Sequence, residues 1–308
     1  MASSEPTLEV INLCKRYSDF ALGPVDFKLE PGTVHGLIGA NGAGKTTLYR
    51  CLMGTVRKDQ GIIKLNGQPI GGDSGRWKQA IGYVGDYTPL YENWSGARNL
   101  KAFARFYYHY DEELVQSLAS KFDLNLDQIV HTYSTGQRTK LAIIHALAHG
   151  ANFLLLDEPT SGLDPISRDT FAEVLHEQMG AQELTVLYAT HYVTEIEQFA
   201  DQLLIINKGR ILAHKVKDDL AQHWRKMTFR SDRDLGELPN QIAIKVFSND
   251  KSTDEKPNFT KEYEMISNNH ESTRMFLEHA GAEAIQSSRL SIEQICVQIL
   301  KTQAGSKS

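Results

Sequence analysis

The feature that most constrains the fold is the stretch GANGAGKT, Gly39 to Thr46, which lies between a short apolar run and a helical pattern. The run TVHGLIG is typical of a buried strand, and TTLYRCLMG continues as a helix that ends at Gly54. Glycines in such a turn let backbone N–H groups point at an anion, and the helix start adds the positive end of its dipole. The pattern between strand and helix therefore predicts a phosphate-binding P-loop.

Each position of this loop has an expected role toward a nucleotide. Lys45 should bridge the β- and γ-phosphates, the Thr46 hydroxyl should ligate Mg²⁺, and Thr47 is placed for the α-phosphate. The loop residues expected to bind the nucleotide are Gly39, Asn41, Gly42, Ala43, Gly44, Lys45, Thr46 and Thr47.

A second apolar strand run, FLLLDE, ends in Asp157 and Glu158. Asp157 suits the Mg²⁺ shell, usually through water, and Glu158 can orient and deprotonate the attacking water. General-base help of this kind is worth about 10²–10⁴-fold in rate. An isolated strand end of this type could equally carry two solvated carboxylates, but the P-loop favours the catalytic interpretation.

Short apolar runs alternate with helical patterns from residue 8 to about 216, which predicts a layered α/β domain with a mainly parallel core sheet. The pattern becomes helical between Gly85 and Gly150, which indicates an inserted helical subdomain at about 86–150. After residue 216, KMTFR, QIAIKVF and AEAIQSS resemble strands, while ESTRMFLEHAG and SIEQICVQIL resemble helices. The expected domains are therefore 1–216 and a small α+β appendage, 217–308.

Composition excludes several classes of protein. The 308 residues carry a net charge of −5, so no basic field suggests a nucleic-acid partner. Three dispersed cysteines support neither a disulfide framework nor a zinc site. The N-terminus lacks the features of a secretion signal, and no apolar run approaches the roughly 20 residues of a membrane helix. We expect a cytoplasmic protein that reaches a membrane only through a partner.

The stretch YSTGQ, Tyr133 to Gln137, places a second anion-binding turn at a helix start, although a complete phosphate-binding loop already lies upstream. Together with the P-loop and LLLDEPTSGLDP, it resembles the signature motif of ATP-binding cassette (ABC) ATPases, the nucleotide-binding subunits of transporters. The resemblance covers roughly residues 8 to 216, and the order and spacing of the motifs are specific. It implies the ABC cassette fold, which adds an antiparallel β portion to the parallel sheet.

The resemblance implies that two cassettes close head to tail over ATP. Ser134 and the amide of Gly136 would then bind the γ-phosphate held by the P-loop of the other subunit. Each ATP site would therefore consist of the P-loop of one subunit and the signature stretch of the other, and a monomer would contain no complete site. Asp164 matches the loop that links the two sites, and His191 matches the switch histidine that contacts the γ-phosphate. Tyr17 matches the aromatic residue that stacks on adenine, although a simple packed tyrosine is the alternative.

The chain departs from the family pattern at two positions. Asp86 stands where the family usually has a glutamine that contacts Mg²⁺ and the attacking water. We expect Asp86 still to sense the metal centre, although aspartate is shorter and cannot donate a hydrogen bond. Thr135 replaces the usual glycine of the signature, and its side chain can point away from the phosphate.

The resemblance implies an ATPase that uses ATP and Mg²⁺ and drives a separate integral membrane permease, as a homodimer or with a homologous ATPase. The C-terminal appendage, especially SRLSIEQICVQIL, resembles the short extensions of exporter-type bacterial ABC ATPases and so points towards export, although a role in stability or dimerisation is equally open. The aromatic residues of the helical subdomain are either its core or a groove for a helix of the permease; they are Phe103, Phe106, Tyr107, Tyr108 and Tyr110. His35 and His145 are expected to be structural.

The alternative functions are an ABC ATPase of translation or DNA repair, which this single cassette without zinc modules disfavours, and a non-hydrolysing ATP-gated module.

Overall fold

The structure is a computed structural model. It describes residues 7–71, 75–85, 89–181, 183–232, 235–236, 238–248 and 261–305. The chain divides into two compact units, Met1–His214 and Lys215–Ser308. None of the helices among the described residues is long and apolar enough to cross a membrane.

The described part of the first unit contains ten strands and six α-helices, and the last strand runs two residues past its boundary. In chain order they are β1 (Leu8–Arg16), β2 (Ala21–Leu29), β3 (Val34–Ile38), α1 (Lys45–Leu52), β4 (Gln60–Leu65), β5 (Gln68–Pro69), β6 (Ile81–Val84), α2 (Gly96–Ala104), α3 (Glu112–Lys121), α4 (Thr135–Ala148), β7 (Phe153–Asp157), α5 (Pro165–Ala181), β8 (Thr185–Ala189), α6 (Val193–Phe199), β9 (Gln202–Asn207) and β10 (Arg210–Val216). Short 3₁₀ turns occupy Arg76–Ala80 and Val130–Thr132.

A six-stranded sheet in the order β10-β9-β3-β8-β7-β6 forms the centre of this unit. The pairs β3·β8, β3·β9, β6·β7 and β7·β8 are parallel, which confirms the predicted core sheet. Every residue of β3, β7 and β8 is buried, as expected where both faces of a parallel sheet are covered. The carboxyl ends of these three strands lie at one edge, which is where ligands of such sheets bind.

A second, antiparallel sheet in the order β2-β1-β4-β5 lies beside the parallel one. Its inward residues, including Leu8 and Val10, share one apolar core with Leu48 of α1 and with Leu155 and Leu187 of the parallel sheet. This core anchors α1, and hence the loop before it, between the two sheets.

Three helices, α2, α3 and α4, lie between β6 and β7, where the sequence predicts an inserted helical subdomain. A side chain caps each of them at its start: Ser95 accepts from Arg98 N, Asp111 from Leu114 N, and Ser134 from Gln137 N. The aromatic residues divide into two groups. Phe103, Tyr107 and Tyr110 surround His145, whereas Phe106 and Tyr108 are each 73% exposed.

The described part of the second unit is an α+β arrangement. In chain order it contains α7 (Lys217–His223), β11 (Arg225–Ser231), β12 (Gln241–Ser248), β13 (Lys261–Ser267), α8 (His270–His279), β14 (Glu283–Arg289) and α9 (Ile292–Gly305). The sheet order is β12-β13-β11-β14, and every pair is antiparallel.

The predicted strands and helices of this unit are all present, and α9 begins with a capping box. Gln294 N donates to Ser291 Oγ over 3.2 Å, and Ser291 N donates to Gln294 Oε1 over 3.1 Å. The sequence analysis missed β13, because KEYEMIS has only three apolar side chains. Tyr263 and Met265 join the core formed by Met227, Phe229 and Leu277.

Candidate ATPase site

The P-loop occupies the turn between β3, which ends at Ile38, and α1, which begins at Lys45. Gly42 and Gly44 have φ angles of 76° and 112°, which L-residues with a Cβ rarely adopt. Gly39 has a different constraint, since a Cβ there would lie 2.5 Å from the carbonyl oxygen of Ile206. The glycine pattern is therefore required by conformation at two positions and by close packing at the third.

The side chain of Lys45 folds back so that its ammonium group contacts the start of this loop. Its Nζ donates to the carbonyl oxygen of Gly39 over 2.7 Å, and only 8% of the residue is exposed. A buried ammonium group at a helix start creates a concentrated positive site, to which the positive end of the α1 dipole adds. The local geometry thus suits the polyphosphate of a nucleotide.

One open cavity of about 760 Å³ gathers most of the residues that the sequence analysis selected. Its lining consists of Phe20, Ala40, Asn41, Gly42, Ala43, Gly44, Lys45, Thr46, Thr47, Asp157, Glu158, Ser161 and His191. This volume lies within the range of small-molecule sites, about 300–1,000 Å³. Residues from the ends of β3, β7 and β8 meet here because parallel strands place their carboxyl ends at one edge.

Glu158 follows β7 in a strained conformation. Its φ is 53°, in the left-handed region that non-glycine residues rarely occupy, and its N–H donates to the carbonyl oxygen of Ala189 over 2.8 Å. His191 Nδ1 donates to Glu158 Oε2, also over 2.8 Å. The backbone and the histidine together aim this carboxylate into the cavity, where it can accept a proton.

Thr46 and Asp157 fit the expected Mg²⁺ site, since both line the cavity and supply the hydroxyl and carboxylate oxygens that Mg²⁺ prefers. No cluster of three or more His, Cys, Asp or Glu side chains that could hold a metal lies within the described residues. Mg²⁺ commonly binds through one or two protein ligands together with substrate phosphates, so this sparse set is suitable. Asp86, the third expected metal-site residue, lies outside the described residues.

Phe20, which the sequence analysis did not select, lines the cavity with its aromatic ring. Its ring lies next to Gly44, where an added Cβ would be 2.9 Å from the ring. Tyr17 is 45% exposed and does not belong to the described lining, although its N–H bonds the carbonyl oxygen of Phe20 over 2.8 Å. No local sequence pattern predicts which of these two aromatic residues lines the cavity, because that depends on the path of the turn between β1 and β2.

Ser134 caps α4 in a reciprocal arrangement with Gln137. Gln137 N donates to Ser134 Oγ over 3.2 Å, and Ser134 N donates to Gln137 Oε1 over 2.9 Å. Gly136 lies against the loop after β7, because a Cβ there would be 2.7 Å from the carbonyl oxygen of Gly162. Neither Ser134 nor Gly136 belongs to the described lining of the P-loop cavity.

Asp164 caps α5 in the same loop. Its Oδ2 accepts from Ser167 Oγ over 2.6 Å and its Oδ1 from Ser167 N over 2.9 Å. These hydrogen bonds hold the pKa of the Asp164 carboxyl below its usual value. Asp164, too, is outside the described lining of the P-loop cavity.

The family model for ABC transporters matches residues 22–161, which contain the P-loop, the signature stretch and the strand end at Asp157. The ABC transporter ATP-binding protein YdbJ of Bacillus subtilis is 32% identical over 213 residues, 68% of this chain and 69% of that protein. This chain belongs to the ABC transporter family. It is an ATP-binding subunit of a transporter, and its activity is ATP hydrolysis.

Other members of the ABC family are similar over the same share of the chain. A daunorubicin resistance ATP-binding protein of Streptomyces coeruleorubidus is 35% identical and covers 67% of each chain. A Nod factor export ATP-binding protein of Ralstonia nicotianae is 31% identical and covers 71% of this chain and 70% of that one. The solved structure of an ATP-binding subunit of an ABC transporter has a TM-score of 0.64 and 27% identity, covering 70% of this chain and 92% of that one.

Proposed function

We propose that this ABC subunit hydrolyses ATP to drive export through a separate integral membrane permease, at the cytoplasmic face of the membrane. The observation that carries the proposal is the single cavity in which Lys45, Asp157, Glu158 and His191 meet. The direction rests on the names of two relatives, one a drug resistance protein and one a Nod factor export protein.

In the proposed reaction, Lys45 and the loop amides bind the phosphates and stabilise the charge that develops on them. Glu158 accepts a proton from the water that attacks the γ-phosphorus, and His191 holds the Glu158 carboxylate through its Nδ1–H. Thr46 and Asp157 would hold Mg²⁺, which would supply further charge stabilisation when bound.

A second copy of the chain, or a homologous ATPase, is proposed to complete the site. Ser134 and Asp164 are exposed and lie outside the cavity of their own chain, yet the start of α4 offers backbone N–H groups and a dipole end to an anion. A head-to-tail partner would bring these groups to the γ-phosphate. ATP would then bind at the interface, and hydrolysis would release it.

The permease is proposed to contact the exposed aromatic side of the helical subdomain. Phe106 and Tyr108 project from a segment that Gln79 fixes on both sides, through Phe106 O at 2.7 Å and Tyr108 N at 3.0 Å. Beside them is a cavity of about 510 Å³ with largely apolar lining, which includes Tyr83, Tyr107 and His145. An amphipathic helix of a partner would lie in this groove and cover the two exposed rings next to it.

The test uses the purified full-length chain and its Glu158→Gln variant, with Glu173→Gln on the exposed side of α5 as the matched control. We expect Glu158→Gln to lower single-turnover ATP hydrolysis about 10²–10⁴-fold while ATP binding persists, because only the proton acceptor is lost. Light scattering with Mg²⁺ and ATP should detect a stable dimer of this variant. Unchanged hydrolysis would contradict the role of Glu158, and a strictly monomeric variant would contradict the shared site.

Purification of Glu158→Gln from its native host in mild detergent tests the partner. Recovery of a multi-spanning membrane protein supports the transporter assignment and allows the direction of transport to be measured in vesicles. Recovery of ribosomes or DNA-repair proteins would instead support an ABC ATPase of the cell interior.

A further inference from the structure

A buried carboxylate, Glu195, lies on α6 behind the catalytic cavity. Only 9% of Glu195 is exposed, and its two oxygens accept two hydroxyl groups. Thr160 Oγ1 donates to Oε1 over 2.6 Å, and Tyr188 OH donates to Oε2 over 2.8 Å. Thr160 and Tyr188 are 2% and 0% exposed, so all three polar groups are satisfied with little exposure to solvent, although Thr160 and Glu195 also line a cavity of about 230 Å³.

These contacts complete a ring that contains the two groups proposed to act in hydrolysis. Thr160 lies two residues after Glu158, and Glu195 lies four residues after His191. The Glu158–His191 hydrogen bond joins the two segments on the cavity side, and the Thr160–Glu195 hydrogen bond joins them on the buried side. Two cross-links between the same short segments restrict their rotation far more than one.

Burial makes the inner cross-link strong. A hydroxyl that donates to a carboxylate forms a charge-assisted hydrogen bond, and the low dielectric of the interior strengthens it. The Glu158–His191 bond is more accessible to water, because the His191 side chain is 52% exposed. The inner bond is therefore the more persistent of the two and can hold the segments in register when the outer one exchanges with water.

We propose that Glu195 is a positioning residue for ATP hydrolysis, which sets the orientation of Glu158 through Thr160 and of His191 through α6. The Tyr188 contact has a different purpose. Tyr188 lies inside β8 and packs against Phe171 and Phe199, so its hydroxyl satisfies the carboxylate oxygen of Glu195 that does not bond Thr160 and does not reach the cavity. The proposal rests on the roles given above to Glu158 and His191.

The experiment compares Thr160→Val with Tyr188→Phe in the full-length chain, since each variant removes one donor to Glu195 at nearly constant volume. Three quantities are measured: the single-turnover rate constant for ATP hydrolysis, the Kd for ATP and the Tm. We expect Thr160→Val to lower the rate constant about tenfold, since small misplacements of a catalytic group cost up to about 10²-fold. The Kd should stay within about twofold, because the P-loop contacts are untouched. Tyr188→Phe should lower the Tm and leave the rate constant within about twofold.

Two variants at Glu195 complete the test. Glu195→Gln should retain most of the activity, because its amide oxygen still accepts from Thr160 and its NH₂ group can donate to Tyr188. Glu195→Ala should lose at least as much activity as Thr160→Val. If Glu195→Ala does not fold, Thr160→Val decides the matter. Rate losses that follow the Tm equally in Thr160→Val and Tyr188→Phe would reduce Glu195 to a structural role, and an unchanged rate in Thr160→Val would overturn the proposal. Retained turnover in Glu158→Gln would instead contradict the catalytic role of Glu158 itself.

Discussion

At the scale of single residues, the P-loop uses glycine for two separate physical reasons. Gly39 has no room for a methyl group, because the carbonyl oxygen of Ile206 on β9 is too close. Gly42 has open space around it, but its φ of 76° disfavours any residue with a Cβ. A motif that looks uniform in sequence is therefore constrained by tertiary contact at one position and by backbone conformation at the other.

This difference predicts unequal effects of alanine. Gly39→Ala should lower the free energy of unfolding by about 1–3 kcal/mol, because β9 or the loop must move to accommodate the methyl group. Gly42→Ala should cost about 1 kcal/mol, the price of a left-handed conformation for an L-residue. Urea unfolding monitored by circular dichroism measures both. An equal or larger loss for Gly42→Ala would contradict the packing argument.

At the scale of elements, the start of α4 combines structural and proposed functional roles. Ser134 caps the helix through its side chain, and the same exposed group is expected to meet the γ-phosphate bound by a second copy. Substitution by alanine would confuse the two roles, since loss of an N-cap alone costs about 1 kcal/mol. Aspartate separates them, because it caps helices as well as serine but carries a negative charge.

We expect Ser134→Asp to keep the free energy of unfolding within about 0.5 kcal/mol of the original chain, since the cap is retained. ATP hydrolysis should fall at least about tenfold, because like charges repel at the site of the γ-phosphate. Ser95→Asp is the matched control, since Ser95 caps α2 in the same way through Arg98 N and has no proposed phosphate contact. Hydrolysis by Ser134→Asp at the rate of the control would exclude contact between Ser134 and the phosphate.

At the scale of the whole molecule, buried histidines link folding to pH. Burial lowers the pKa of His35 from 6.5 to about 3, and the nearby His214 lowers it further in the same direction. Burial likewise lowers the pKa of His145 to about 4. Both are neutral in the folded protein and become protonated on unfolding below pH about 6.5, so the unfolded state binds more protons in that window.

The contribution of these two histidines to the free energy of unfolding should therefore be fully present above pH about 6.5. It should fall as the pH decreases towards their pKa values in the folded protein, about 3 and about 4. For His35 the loss is up to about 1.4 kcal/mol per pH unit. His35→Gln should reduce the slope of unfolding free energy against pH between about 4.5 and 6.5, because glutamine does not titrate. His176→Gln, at an exposed position on α5, is the control. Equal slopes for the original chain and for His35→Gln would contradict the shift.

The family and the chemistry of the cavity could be predicted from local patterns. A P-loop specifies a strand, a turn and a helix within about 20 residues, and FLLLDE specifies a buried strand with two carboxylates at its end. Parallel strands bring such ends together, so Lys45, Asp157 and Glu158 could be assigned to one site before any distance was known, whereas His191 was assigned to it only through the resemblance to ABC ATPases. The capping boxes of α4 and α9 are equally local, since each depends on two residues three positions apart.

Contacts between distant segments depended on the tertiary structure. The choice of Phe20 for the cavity lining follows from the turn between β1 and β2, and β13 is recognisable only from the strands beside it. Glu195 and Thr160 are 35 positions apart, and neither lies in a pattern that announces the other. The sequence by itself determined which chemical groups this ATPase carries, because each motif is folded by its own neighbours. Only the tertiary structure decided how those groups are held, because burial and hydrogen-bond partners depend on packing between elements far apart in the chain.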